Sequence, residues 1–327
     1  MPSMPRVVDD FWLGRRVVVR RRAGTGPEGR PAYSDALGEL IEVSAQAVVL
    51  DTRGGPVRVA RADIATARLV LASTAGQLAL EATAARGWRA AHVETNADGW
   101  LLRADSGWTG RANSALPLRT LRRPLDEALA DLSAWYRGHG LAPMIQVPLP
   151  AAAALDRALD ARGWTYPEDV DVLVARLDLL LRALGARPAP AGIQTSIVSD
   201  PDADWLTSYH YRGGVLPASA AALLVRHDTR GFATMHDTHG SVLGSARGVV
   251  DDGWLGLTAL EVAPPHRRRG LAGLASAALA HWARDRGAVR CYVQVSAGNT
   301  AALALYRRLG FYEHHSYRYR IPPTIES

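Results

Sequence analysis

Two stretches of this sequence repeat the same landmarks in the same order, and this internal repeat limits the possible folds more than any other feature. The tetrapeptide Asp-Gly-Trp-Leu occurs at 98–101 and again at 252–255. Four further matches follow at offsets close to 147: Pro117 with Pro264, Trp135 with Trp282, 145–147 with 293–295, and 163–164 with 310–311. Because the matches keep one order, we predict two copies of one unit, each built from alternating helices and strands.

The chain in front of the repeat has a different pattern. Turn-forming residues separate five short apolar runs, which lie at 16–22, 37–44, 47–51, 57–60 and 65–71. Short strands with tight turns predict a small β-barrel at 1–72, of the Src-homology-3 or Tudor type. Such barrels bind peptides or nucleic acids in some proteins and only pack in others, and both roles stay open here.

The repeat and the turn signals together divide the rest of the chain. We expect the first copy at 73–178, a linker at 179–192 that ends in a glycine- and proline-rich run, and the second copy at 193–327. The predicted fold class is α/β, with a mixed (α+β) sheet and two similar units in tandem behind the barrel.

Composition excludes several classes of protein. Hydrophobic residues make up 48% of the 327 residues and charged residues 21%, as in globular chains. No apolar run approaches the roughly 20 residues that span a bilayer, so we expect no membrane partner. The single cysteine, Cys291, is consistent with a reducing cytoplasm, and a cytoplasmic location is predicted.

The net charge of +6 has a simple origin. All 38 basic residues are arginine, as in the products of GC-rich genomes. Their main local cluster, at 15–22, divides between two faces of a strand, which argues against a nucleic-acid partner. His236 and His239 have a metal-like spacing but no further ligands nearby, so no metal site is expected.

The strongest chemical signal lies in the second copy. A strand at 254–262 runs into Pro-Pro-His-Arg-Arg-Arg-Gly-Leu-Ala at 264–272, which opens an apolar helix. Free amides at a helix N-terminus attract phosphate, and Gly270 and Ala272 leave room for a pyrophosphate to approach the backbone. Neighbouring arginines add charge suited to phosphate. The pattern predicts an anion site.

This segment resembles the GNAT superfamily of N-acetyltransferases. Arg267-x-x-Gly270-x-Ala272 matches the acetyl-CoA signature of that superfamily, and 299–311 resembles its closing motif, Asn…Ala…Leu-Tyr…Gly-Phe. The resemblance is strong over 193–322 and weak over 75–178. Tandem GNAT units are also distantly similar to mycothiol synthase, from which the added barrel and the absence of the usual glutamates distinguish this chain.

The resemblance implies roles for individual residues. Amides around 268–273 would hold the CoA pyrophosphate, and Asn299 would hydrogen-bond the pantetheine arm. Tyr306 would protonate the departing thiolate. The acetyl group would lie where strands at 257–262 and 292–295 part, with a backbone amide for the oxyanion. The predicted cofactor-binding residues are therefore Val262, Arg267, Arg268, Arg269, Gly270, Leu271, Ala272, Gly273, Asn299 and Tyr306.

The general base departs from the superfamily pattern. The two positions that often carry glutamate hold Gly256 and Gln294. Glu261 is the nearest carboxylate and the predicted catalytic partner of Tyr306, although strand alternation would turn it away from the substrate. His210 and Asp252 are more distant options, and a water-mediated base is a further one.

The first copy lacks these features. At an offset of 147, Arg123 falls at the place of Gly270, Leu125 at that of Ala272, and Leu159 (or Ala158) at that of Tyr306. We therefore predict a degenerate unit that packs against the second copy and helps to shape its substrate cleft. The polar run at 108–114 either lines that cleft or forms a well-bonded turn.

The expected function is N-acetyl transfer from acetyl-CoA to a primary amine by direct attack in a ternary complex. The acceptor would be a small molecule or a peptide, and the protein a monomer or a homodimer. Two alternatives stay open: a regulator that binds acetyl-CoA without turnover, and a macromolecule-directed acetyltransferase that the barrel recruits to basic protein tails.

Overall fold

The computed structural model describes residues 8–25, 29–185, 190–210 and 214–323. The chain divides into two compact units between Ala72 and Ser73. No helix in the described part of the chain is both long and apolar enough to cross a membrane.

The N-terminal unit is one antiparallel sheet in the order β4-β3-β2-β1-β5. Its strands are β1 (Arg16–Thr25), β2 (Pro31–Val43), β3 (Ala47–Thr52), β4 (Gly55–Ala60) and β5 (Ile64–Leu69). Val17 and Val19 of β1 are buried in its core. Five antiparallel strands fit the predicted topology, and because β4 and β5 lie at opposite edges of the sheet, closure into a barrel stays a prediction.

The basic run on β1 follows the alternation of the strand. Arg16, Arg20 and Arg22 are exposed on the face opposite the buried valines. Arg20 is paired with Asp35, whose carboxylate lies 2.8 Å from its Nε. Arg21 points the other way and donates to the Ser34 hydroxyl. The arginines are therefore divided between two faces, as the alternation predicts.

The C-terminal unit contains both copies of the repeat. The first copy supplies α1 (Thr74–Gly87), β6 (His92–Thr95), β7 (Trp100–Ala104), β8 (Leu116–Pro117), α2 (Leu125–Gly138), β9 (Ile145–Leu149), α3 (Ala153–Asp160) and β10 (Asp169–Arg176). After α4 (Leu177–Gly185), the second copy supplies β11 (Gln194–Val198), α5 (Ala203–Ser208), α6 (Ala218–Leu224), β12 (Arg230–His236), β13 (Val242–Asp251), β14 (Trp254–Val262), α7 (Leu271–Arg284), β15 (Arg290–Ser296), α8 (Thr300–Arg308) and β16 (Tyr312–Arg320).

The two copies exchange their last strands. The main sheet has the order β11-β12-β13-β14-β15-β10-β16-β9, so β10 of the first copy lies between β15 and β16 of the second. Asp169 pairs with Arg318 and Asp171 with Ser316, and an offset of 147 converts one pair into the other. The register of β10 against β16 therefore follows the sequence repeat. A pseudo-twofold axis at the pair Val170–Tyr317 relates the two strands.

The predicted linker at 179–192 is partly wrong, because its first residues belong to helix α4. Leu177, Leu180 and Leu184 are buried at helical spacing, and α4 packs against α7. This apolar face outweighs the turn signals, which begin only where the helix ends. Residues 186–189 of the predicted linker lie outside the described residues.

Candidate active site

The central feature of the site is a fork between two neighbouring parallel strands. β14 and β15 pair only from Trp254 opposite Arg290 to Gly256 opposite Tyr292. Beyond this point β14 stays paired with β13, and β15 with β10. The strands therefore part at 257–262 and 293–296, which opens a cleft in the sheet where the resemblance places it.

The cleft has a volume of about 1710 Å³ and is lined by both copies. All but one of the predicted cofactor-binding residues line it, namely Val262, Arg267, Arg268, Gly270, Leu271, Ala272, Gly273, Asn299 and Tyr306. The exception is Arg269, which is exposed and lies 3.0 Å from His266 Nδ1 through its Nη1. The sequence of three consecutive arginines does not indicate which of them points away from the cleft.

The turn before α7 has the backbone geometry of an anion site. Gly270 is the N-cap residue of α7 with φ 85°, and Arg268 also has a positive φ of 61°. The first helical hydrogen bond runs from Leu274 N–H to Gly270 O, so the amides of 271–273 have no carbonyl within the helix to bond. Arg267 braces the turn by donating from Nε to Val262 O at 3.0 Å.

Tyr306 and Asn299 stand on α8, at the other arm of the fork. Tyr306 is 5% exposed and packs edge-on against Phe311. Burial raises the pKa of its hydroxyl above the ordinary value, so the group stays protonated throughout the neutral and mildly alkaline range. Asn299 is the N-cap of α8: its side-chain oxygen accepts from Ala302 N–H at 3.1 Å, and the two donors of its amide nitrogen are not used by this cap.

A β-bulge on β14 decides where Glu261 points. Ala259 has φ 51°, and the register against β13 shifts so that Glu261 faces Ser245 while Thr258 faces Arg247. The bulge exchanges the two faces of the strand beyond it, and Glu261 lines the cleft. Simple alternation, which turned Glu261 away, is therefore wrong at this position.

The structure joins Glu261 to His210, which the sequence treated as a distant option. Glu261 Oε2 accepts from the backbone N–H of His210 at 2.7 Å, and Oε1 lies 3.2 Å from His210 Nδ1. Both residues line the cleft. Only the tertiary fold brings His210, which follows α5, to Glu261 on β14, and no local pattern signals their contact.

Comparison with known proteins agrees with this geometry. The family model described as "Probable histone acetyltransferase Rv0428c C-terminal" matches residues 74–320. The Probable histone acetyltransferase Rv0428c of Mycobacterium tuberculosis is 33% identical over 94% of each chain. The Uncharacterized N-acetyltransferase YobR of Bacillus subtilis is 28% identical, over 74% of this chain and 97% of that one. The chain belongs to this family of GNAT acetyltransferases.

Solved GNAT structures share the fold. A GCN5-related N-acetyltransferase from Kribbella flavida superposes with a TM-score of 0.59 at 18% identity, covering 76% of this chain and 96% of its own. A tandem GNAT protein from the clavulanic acid biosynthesis pathway superposes with a TM-score of 0.53 at 15% identity, covering 78% and 92%. The tandem GNAT architecture predicted from the repeat is thereby confirmed.

In this GNAT protein, local packing explains both missing glutamates. A Cβ at Gly256 would lie 2.6 Å from Tyr292 Cζ, so the Tyr292 ring occupies the space of a side chain there. Gln294 accepts from Arg111 Nε at 3.0 Å, and Arg111 also donates to the Gln294 carbonyl oxygen. Neighbouring side chains therefore pack against or hydrogen-bond these two positions. Glu261 is the carboxylate that β14 provides.

Among the described residues, the first GNAT copy lacks the glycine N-cap and the tyrosine that mark this site in the second copy. Leu159 holds the helical position that Tyr306 has in α8, and it is buried in the core. The predicted match of Arg123 with Gly270 is wrong by one residue, because α2 begins at Leu125 with Pro124 as its N-cap. Arg123 instead pairs with Asp98 and Asp131, each at 2.7 Å.

The polar run at 108–114 is both a bonded turn and part of the cleft. Asn113 accepts from the backbone N–H groups of Asp105 and Gly107, and it donates to Thr109 O at 2.8 Å. Residues 109–111 line the cleft. The segment therefore forms a well-bonded turn and also lines the cleft, so both sequence hypotheses apply to it.

Proposed function

We propose that this GNAT protein transfers the acetyl group of acetyl-CoA to a primary amine by direct attack in a ternary complex. The observation that carries the proposal is the fork. It brings the glycine turn of α7 and the buried Tyr306 to the same cleft as the Glu261–His210 pair. The acetyl donor and the amine would meet between the two arms, with no covalent enzyme intermediate.

The residues present fit CoA. Gly270 has a backbone conformation that favours glycine, and free amides follow it at the N-terminus of α7, which suits a pyrophosphate. Arg267 and Arg268 line the same part of the cleft and add positive charge. Asn299 offers the donors of its side-chain amide to the pantetheine arm. When bound, acetyl-CoA supplies the activated thioester.

Glu261 is proposed as the general base. Its two hydrogen bonds with His210 fix the carboxylate and still leave lone pairs free to accept a proton from the amine, directly or through one water. Tyr306 is the proposed general acid. Burial keeps its hydroxyl protonated, so it can donate that proton to the departing thiolate.

The test is acetyl-CoA turnover, followed as free thiol release with a panel of amines and basic peptides. We expect Tyr306→Phe to lower kcat by about 100-fold or more, as for a lost proton donor. Acetyl-CoA binding should change little, because the ring remains. Tyr33→Phe, at an exposed tyrosine of the N-terminal unit, is the matched control.

The pH dependence gives a second check. Because the pKa of Tyr306 is raised, its deprotonation should cause no loss of kcat up to about pH 9. Tight acetyl-CoA binding without thiol release from any acceptor would contradict the proposal and favour the regulatory alternative.

A further inference from the structure

The first copy places a second carboxylate in the cleft of the second copy. We propose that Glu168 is a specificity residue that selects small acceptors with a second cationic group, such as diamines. This inference rests on the proposed function, because it concerns the acceptor of the same reaction.

Strand exchange brings Glu168 to the site. It directly precedes β10, and β10 lies against β15 with Val170 opposite Ser296. The Ser296 hydroxyl donates to Glu168 Oε2, and both residues line the cleft. Ser296 lies at the end of β15, beyond the fork, as Glu261 does on β14. The two carboxylates therefore belong to opposite arms.

Both carboxylates are on the same side of the sheet. Along β15, Cys291, Val293 and Val295 pack into the core that contains α7. Ser296 therefore points to the opposite side, together with Tyr292 and Gln294. Beyond its bulge, β14 directs Leu260 and Val262 toward the α7 core, so Glu261 also points away from it. An acceptor bound on this side of the sheet therefore lies in the compartment that both carboxylates line.

The same side contains buried hydroxyls that line the cleft. Thr109 Oγ1 has no partner among the described residues, and the hydroxyls of Tyr317 and Tyr319 have only each other as partners. Thr109 is 1% exposed and Tyr317 0%. A buried polar atom without a hydrogen bond is costly, so these groups favour a polar ligand. They indicate that this compartment binds polar atoms of the acceptor.

Charge divides the cleft into two parts. Arg267 and Arg268 line it beside the helix turn, where a pyrophosphate would bind. On the acceptor side, the one cationic side chain from the first copy is Arg111, and it is held by Gln294. Glu168 and Glu261 are the only carboxylates in the described lining. With Glu261 serving the reacting amine, Glu168 remains to pair with a second cation.

The experiment compares 1,4-diaminobutane with butylamine, which has the same carbon chain and one amine. For the wild type we expect a higher kcat/KM with the diamine. Glu168→Gln should lower kcat/KM for the diamine by about 10- to 100-fold, the size of a lost charge-assisted hydrogen bond, and should change that for butylamine less than about threefold. Glu313→Gln, at an exposed glutamate of β16, is the control.

A Ser296→Ala variant separates recognition from structure. If Glu168 only supports β15 through Ser296, Glu168→Gln and Ser296→Ala will each change kcat/KM equally for the diamine and for butylamine. The inference is then wrong. Binding of each amine to the protein saturated with CoA, measured by calorimetry, tests Glu168 without turnover. If the wild type binds the diamine no better than butylamine, the inference also fails. A third outcome separates the two proposals. If no acceptor causes thiol release but the protein still binds the diamine better than butylamine, the proposed function is wrong and the inference about Glu168 stands.

Discussion

The two copies of the repeat share a fold and differ in what their clefts contain. In the second copy, β14 and β15 fork around a cleft with a glycine turn on one arm and Tyr306 on the other. In the first copy, the corresponding contact is one parallel bridge between Ala115 and Ile145. Around it Trp100, Leu132 and Leu159 fill a core cluster. One copy has kept the cleft, and the other has filled it with apolar side chains.

The difference shows what the first copy contributes to the molecule. It gives Arg111 and Glu168 to the cleft of the second copy and β10 to the second copy's sheet. These contributions come from residues outside the turn before α2. The first copy therefore has a structural role that needs no cleft of its own, because its residues line the cleft of the second copy and its last strand completes the shared sheet.

The strongest test of this interdependence is to separate the copies. We expect a chain of residues 190–327 to fail to fold, because it lacks β10 and would leave the inner edges of β15 and β16 unpaired in an apolar core. A chain of residues 73–189 should fail for the matching reason at β9 and β10. Circular dichroism and thermal unfolding measure the outcome.

Co-expression of the two fragments is the control, and it should restore one cooperative unfolding transition. If residues 190–327 alone unfold cooperatively, with a near-ultraviolet spectrum like that of the intact chain, strand exchange is not needed for folding. The two copies would then be independent domains that merely pack together.

The second test places an arginine in the turn before α7. Gly270→Arg should weaken acetyl-CoA binding by about 100-fold or more, because a side chain at φ 85° strains the turn and obstructs the approach of a pyrophosphate. Calorimetry with CoA measures the effect. Gly287→Arg is the matched control, since Gly287 has φ 84°, lies beyond the other end of α7 and has open space around it.

The control separates backbone strain from loss of the site. Both variants should lose a similar amount of stability, about 1–3 kcal/mol, and only Gly270→Arg should lose CoA affinity. Equal affinities in the two variants would mean that the turn before α7 does not hold the pyrophosphate, and the cofactor site would have to be sought elsewhere.

Sequence reasoning recovered what depends on local pattern. The repeat predicted the tandem architecture, which the pairing of Asp169 with Arg318 reflects. The motif around Gly270 predicted a cleft-lining turn. Each of these features is encoded within a few neighbouring residues or in the comparison of the two copies.

Features that depend on tertiary pairing escaped prediction. The bulge at Ala259 reverses the direction of Glu261, and nothing about an alanine in an apolar strand signals a positive φ. Glu168 reaches the cleft only because β10 enters the sheet of the other copy. His210 meets Glu261 across 51 residues of chain. The one-residue shift that aligns Pro124, and not Arg123, with Gly270 also could not be predicted, since the motif before α2 is degenerate.

The smallest expected effect concerns the seam between the copies, on β16. Burial, with smaller contributions from His315 and Arg290, lowers the pKa of His314 to about 4. His314 Nδ1 lies 2.8 Å from His315 Nδ1, and His315 Nε2 lies 2.7 Å from Glu81 of the first copy. At the corresponding offset the first copy has Pro167, so this titrating group belongs to one copy alone.

An unfolded histidine titrates near pH 6.5, so between about pH 6.5 and 4 the unfolded chain binds a proton at His314 that the folded chain does not. The free energy of unfolding should therefore fall as the pH falls through this window, by about 1–3 kcal/mol from this residue. Denaturant unfolding at pH 7 and pH 4.5 measures the fall. His314→Gln should reduce it, whereas His239→Gln, at an exposed histidine, should not. An unchanged fall in His314→Gln would show that the seam at His314 is open to water and that the copies are less tightly joined than their shared sheet indicates.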